Sequence, residues 1–153
     1  MRLIEFYNAS HHPHGTIAML KPCGTDAEKL YKWCINNNIS CIDKDKLHCT
    51  VLYSKAPVEH LTKFNNKNFI VKSKINQWEK LGDALTLKLS APTAEKIHSY
   101  MRSQGGTHDF PEYIAHISVC YKWTDNKLPD ILPDFPIIFD KLQVTPIDPN
   151  FSG

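Results

Sequence analysis

His48-Cys49-Thr50-Val51-Leu52-Tyr53 and His116-Ile117-Ser118-Val119-Cys120-Tyr121 are two copies of one pattern, His-x-[Thr/Ser]-Val-x-Tyr, one in each half of a 153-residue chain. Both copies are rich in β-branched, aromatic and other apolar residues and read as strands. On a strand, side chains at i and i+2 share a face. His48 and Thr50 therefore point one way, and Leu47, Cys49, Val51 and Tyr53 the other; His116 and Ser118 stand likewise opposite Ala115, Ile117, Val119 and Tyr121. Each strand offers an imidazole and a hydroxyl on one side and an apolar face for packing on the other. Strict alternation assigns Tyr53 and Tyr121 to the core. A single His-x-Thr carries little information, but two copies in one register, each after a helical segment, point to a pseudo-symmetric site.

Working outward from the first copy, residues 15–20 read as a strand closed by Pro22 and Gly24. Thr25-Asp26-Ala27-Glu28 matches a capping box with Thr25 as N-cap, and Leu30, Trp33 and Cys34 supply the apolar stripe of a helix over about 26–37. Between the copies lie a short helix near 58–64 and two strands, 69–80 and 84–89, joined at Gly82-Asp83. A second helix opens at Ser90-Ala91-Pro92 with Ser90 as N-cap, buries Ala94, Ile97 and Met101, and ends at Gly105-Gly106. After the second copy, Pro129, Pro133 and Pro136 lead to a last strand near 137–144. This order predicts an α+β fold, bilobal and internally duplicated, with antiparallel sheets and helices on the outside, in a single domain spanning 1–153.

The composition narrows the functional classes. Hydrophobic residues make up 42% and charged residues 22% of the chain, with a net charge of +2. Such a small excess argues against a track for long nucleic acid, which needs a strongly basic face, and leaves a small anionic ligand compatible. No apolar run reaches the roughly 20 residues that span a bilayer, and the N-terminus, with an early glutamate and no apolar core, does not read as a signal peptide. Five cysteines, odd in number and without Cys-x-x-Cys spacing, suit a reduced, cytoplasmic setting.

Two imidazoles and two hydroxyls facing one ligand suit acid-base chemistry on a phosphodiester. On His48, Thr50, His116 and Ser118 the chain resembles the two-histidine (2H) phosphoesterase superfamily, whose signature is a pair of His-x-Thr/Ser motifs in a bilobal, duplicated fold. The resemblance implies acid-base catalysis by His48 and His116 and phosphate binding by Thr50 and Ser118, with no metal and no cofactor. Within the superfamily, compact length and Trp78 between the motifs look most like the phage anti-CBASS phosphodiesterases, which destroy the cyclic oligonucleotide messengers of bacterial antiviral signalling. The expected partner is then a cyclic oligonucleotide, cleaved at its 3′,5′ linkages in the cytosol of a host cell. That branch also uses an acidic residue near its C-terminus; the nearest match is Asp140, an aspartate where the branch has glutamate. Two alternatives stay open: a 2′,3′-cyclic or 2′,5′-linked RNA phosphodiesterase on the same fold, and a non-catalytic nucleotide-binding sponge.

Outside the motifs, Trp78 reads either as a base-stacking residue or as a core tryptophan. Asp140 reads as a contact to a base edge, an orienter of a histidine, or a surface carboxylate. His11-His12-Pro13-His14 lacks metal-ligand spacing and reads as a loop at the mouth of the ligand site beside Thr16, a further substrate-binding candidate. His60, His98 and His108 carry no partner signature and read as surface residues. The two copies are equivalent in sequence, so base and acid cannot be told apart at this level.

Overall fold

The computed structural model describes residues 14–110 and 112–147. In chain order these form strand β1 (Thr16–Pro22), helix α1 (Gly24–Asn36), strand β2 (Cys49–Ser54), strands β3 (Lys67–Leu81) and β4 (Ala84–Ser90), helix α2 (Pro92–Ser103), strand β5 (His116–Cys120) and strand β6 (Ile137–Pro146), with short 3-10 helices at Lys44–Lys46 and Glu59–Phe64. The order matches the sequence-based expectation. The fold is α+β.

Every strand pairing is antiparallel, and the spatial order is β2-β1-β6-β3-β4-β5. The two motif strands, β2 and β5, lie at opposite ends of that order. The 15-residue β3 joins the halves: Lys67 to Ser73 pair with β6, whereas Lys74 to Leu81 pair with β4. Each half is therefore a three-stranded unit with a motif strand outermost. The β3–β4 turn closes at Gly82, whose φ of 60° a residue with a side chain adopts only under strain.

Both helices pack close to their predicted stripes: Ala27, Leu30 and Cys34 of α1 and Ala94, His98 and Met101 of α2 are buried, while Trp33 and Ile97 are only partly so. Their starts differ from expectation. Helix α1 begins at Gly24 with Cys23 as N-cap, so Thr25 lies inside the first turn, and the Asp26 carboxylate accepts a hydrogen bond from the Ile138 amide (2.8 Å), tying the helix to β6. Glu28 is drawn outward to Lys32 and Lys44 rather than back to the cap. In α2 the N-cap is Ala91, with Pro92 in the first turn. All five cysteines are free thiols, three of them buried.

Trp78 belongs to this core. It is 6% exposed, its indole N–H donates to the Ile131 carbonyl (2.7 Å), and its ring lies 6.2 Å from that of Trp33 on α1. The β3–β4 register skips Asn76, which shifts the alternation so that Trp78, paired with Leu87, faces the helices. Of its two sequence readings, the core tryptophan is the one this geometry matches; the ring offers no open face for stacking.

Candidate active site

One irregularity occurs in both motif strands at the same place. Along β1–β2, Met19 pairs with Thr50 and Ala18 with Leu52, which skips Val51; along β4–β5, Thr86 pairs with Ser118 and Leu85 with Cys120, which skips Val119. The valine of each copy sits in a β-bulge. A bulge puts two consecutive side chains on one face and reverses the alternation beyond it. Val51 and Leu52 are accordingly both buried, as are Val119 and Cys120. The following tyrosine then returns to the face of the histidine and the hydroxyl. Tyr53 is 42% exposed and Tyr121 half-buried, so the assignment of both tyrosines to the core is corrected by the bulges.

The two imidazoles are held alike. Nδ1 of His48 bonds the Lys46 carbonyl (2.9 Å) and Nδ1 of His116 bonds the Ile114 carbonyl (3.0 Å), each two residues upstream. A carbonyl only accepts, so Nδ1 carries the proton in each ring and Nε2 is the nitrogen that can exchange one. His48 is 9% exposed. Burial holds its pKa below the ordinary histidine value; the bond to Lys46 opposes this, while the nearby Lys21 and His116 charges reinforce it. The thiol of Cys49 is pushed up to about 11 by burial and stays protonated, which removes it as a nucleophile.

The two outer strands meet. The His116 amide donates to the Cys49 thiol, and the Tyr113 hydroxyl, three residues before His116, donates to the Thr50 carbonyl (2.7 Å). His98 of α2 donates from Nδ1 to the carbonyl of the bulge residue Val51 (2.7 Å) and stacks on the Tyr113 ring (4.4 Å). In the second copy the carbonyl of the bulge residue Val119 accepts from the Ile42 amide (2.8 Å). His98 is thus a buried residue, 6% exposed, and not a surface one; its spacing from Ala94 and Met101 on the buried face of α2 was a signal for that. Tyr113 stands outside both motif copies, in a stretch whose sequence pointed to no element.

Thr16 is 1% exposed and its hydroxyl accepts from the Val58 amide (2.9 Å), so it braces the chain after β2 instead of lining a ligand mouth. Asp140 is half-buried on β6, skipped between the pairs Lys21–Lys141 and Pro22–Phe139, and by that bulge shares a face with Lys141, Lys21 and Met19. Residues 11–13 of the histidine-rich segment lie outside the described residues. Among those described, no three His, Cys, Asp or Glu side chains are grouped as a metal site, and no helix is long and apolar enough to cross a membrane.

Cross-strand pairing adds residues that the motifs alone did not single out, since directly opposed side chains share a face. Beside His116 stands Lys88, and beside Ser118 stands Thr86. Thr86 in turn pairs with Glu79, whose Oε1 is buried without a hydrogen-bond partner. In the first half, Leu20 pairs with Cys49, and one step further along the same register Lys21 comes opposite His48.

The family described as anti-CBASS protein Acb1 matches residues 14–153. The anti-CBASS protein Acb1 of Salmonella phage S16 is 26% identical over 112 residues, which cover 72% of this chain and 73% of that protein. The protein of the same description from Vibrio phage KVP40 is 31% identical over 83 residues, 52% of this chain and 54% of that protein. Among solved structures, E. coli LigT complexed with 3′-AMP matches with a TM-score of 0.60 at 10% identity, over 90% of this chain and 97% of that one. A crystal structure of a phosphoesterase matches with a TM-score of 0.59 at 12% identity over the same shares. At such identities the structural likeness speaks for the fold, while the family match spans most of the sequence: the chain belongs to the anti-CBASS protein Acb1 family.

Proposed function

We propose that this protein is a metal-independent phosphodiesterase that cleaves 3′,5′ linkages of cyclic di- and trinucleotide messengers and so counteracts bacterial antiviral signalling in the cytosol of an infected cell. The observation that carries the reading is the mirrored pair of strands, each with a histidine fixed through Nδ1 to a carbonyl two residues back, a hydroxyl on the same face, and a bulge one residue later. Binding alone does not require two imidazoles held in one tautomer; proton transfer in opposite directions at one phosphate does.

In this mechanism Nε2 of His48 accepts the proton of the ribose 2′-hydroxyl as O2′ bonds to phosphorus. The P–O5′ bond breaks, and O5′ takes a proton from Nε2 of His116. The product is a linear oligonucleotide ending in a 2′,3′-cyclic phosphate, which water opens with the two histidines in exchanged roles. Burial disfavours the imidazolium of His48 and suits it to begin as the base. Thr50 and Ser118 donate to the non-bridging oxygens as charge builds there. Asp140, and the unpaired acceptor of Glu79, are candidates for the N–H groups of a nucleobase edge.

The test is a panel of cyclic di- and trinucleotides, 2′,3′-cyclic mononucleotides and 2′,5′-linked dinucleotides incubated in EDTA, with products read by mass. Cleavage of the rings to linear products is expected. His48→Ala and His116→Ala should each lose about 10²–10⁴ in rate. Near-normal turnover by either variant, or cleavage confined to 2′,3′-cyclic mononucleotides, would overturn the proposal.

A further inference from the structure

Each catalytic histidine has a lysine on the next strand inward, in the same register position. Lys88 of β4 is the direct partner of His116. Lys21 of β1 stands one step beyond the Leu20–Cys49 pair, opposite His48, and its ammonium donates to the Asp45 carbonyl (2.6 Å) in the 3-10 turn that leads into His48. Opposed residues of an antiparallel pair lie with Cβ atoms roughly 5 Å apart on one face, so both lysines share the face of the histidines and hydroxyls. The duplication therefore extends beyond the motif itself: each half contributes an imidazole, a hydroxyl and an ammonium.

The charge on this face is not internally balanced. Lys21 is also the direct partner of Lys141 on β6, and like charges directly opposed destabilise a sheet. Among the described residues, none of the ion pairs involves Lys21, Lys88 or Lys141. The carboxylates on the face are Asp140, beside Lys141, and Glu79, one pair removed from Lys88. Three ammoniums and two imidazoles that share the faces of the motif hydroxyls, with the nearby carboxylates unpaired to them, are arranged for an anion from outside.

We propose that Lys21 and Lys88 are paired phosphate anchors, one beside each histidine, that hold the non-bridging oxygens of a phosphodiester from both sides. This rests on the phosphodiesterase reading and sharpens it. A diester carries one negative charge and gains another as the attacking oxygen bonds to phosphorus. The hydroxyls of Thr50 and Ser118 offer dipoles, and the imidazole pair shuttles one proton without adding charge. The lysines supply the fixed positive charge that the two motifs lack.

The test separates anion binding from chemistry with cyclic di-2′-deoxyadenosine monophosphate, which has no 2′-hydroxyl and cannot react by this route. Its Kd is measured by calorimetry across a salt series for the wild type, Lys21→Gln, Lys88→Gln and the two Lys→Arg variants, with adenosine as an uncharged control. Each Gln variant should weaken the ring about tenfold or more and lower the slope of log Kd against log salt by about 1. Adenosine binding should stay unchanged, and each Arg variant should recover most of the loss. The Lys88 side chain makes no hydrogen bond or ion pair among the described residues, so its variant carries the test even if Lys21→Gln unfolds through loss of the bond to Asp45. Wild-type affinity and salt slope in Lys88→Gln, with the natural ring still cleaved by the wild type, would overturn this inference alone. A wild type that neither binds the deoxy ring nor cleaves the natural one would overturn the phosphodiesterase reading as well.

Discussion

His48 is where sequence equivalence ends and structural difference begins. It is the more enclosed of the two motif histidines, and burial, with Lys21 and His116 close by, keeps its imidazole neutral to lower pH than a free histidine at about 6.5. The acid limb of kcat/KM against pH, which reports the base of the free enzyme, is therefore expected below pH ~6.5. Lys21→Gln removes one of the charges that disfavour the imidazolium, so it should move that limb to higher pH. A pH–rate series for wild type and variant checks both the position and the direction. The residue types of the site were legible in the sequence because i, i+2 geometry needs only an extended backbone. The lowered pKa of His48 was not, because it arises from burial and, secondarily, from the charges of Lys21 and His116, all set by packing of residues distant along the chain.

Among elements, the bulged strand decides what each motif presents. Tyr113 donates to the Thr50 carbonyl and stacks under His98, which takes the carbonyl of Val51. Both carbonyls would otherwise face the open side of an outermost strand. Tyr113→Phe keeps the ring stacking and leaves the Thr50 carbonyl with only the weak bond from the Cys49 thiol (3.9 Å), at a cost of about 0.5–1.5 kcal/mol. The urea midpoint should fall accordingly. Because the same carbonyl belongs to Thr50, the phosphate ligand of the proposed mechanism, kcat should fall too. Bulges also explain what could not be read in advance. Helices and strands were legible from their apolar periodicity, and β1, β4 and both helices fall within a few residues of expectation. A skipped Val51, Asn76, Val119 or Asp140 carries no mark in the sequence, since each residue type fits an ordinary strand. Each skip turned the side chains beyond it to the other face, which brought Tyr53 out and put Trp78 in. Thr16 was misplaced for a different reason: the Val58 amide that claims its hydroxyl caps the 3-10 helix Glu59–Phe64, and nothing in the sequence pairs that turn with β1.

At the scale of the molecule, the buried histidines contribute a loss of stability on the acid side. Burial is the first cause of a lowered pKa in both His48 and His98. In the unfolded chain both titrate near pH ~6.5. Below that value the unfolded state binds more protons than the folded one, so stability is fully present above about pH 6.5 and is lost as pH falls through the folded pKa values. Urea midpoints should be level from about pH 7 to pH 8 and decline below ~6.5. His98→Gln, whose amide can still donate to the Val51 carbonyl, should flatten that decline, and an unchanged slope would remove His98 from the account.

The placement of β2 and β5 at the two ends of the strand order has a further consequence, for the company the protein keeps. An outermost strand carries a row of main-chain groups on which another polypeptide can add itself, the usual opening for self-association. Here both outermost strands are turned toward one another, and their outward groups are claimed by Tyr113, His98, Ile42 and the Cys49–His116 contact. The seam between the two motif strands, where the proposed site lies, thus also closes the sheet to strangers. A change that loosens this seam also exposes strand edge to other chains, so the spacing of the two strands is bounded by solubility as well as by chemistry.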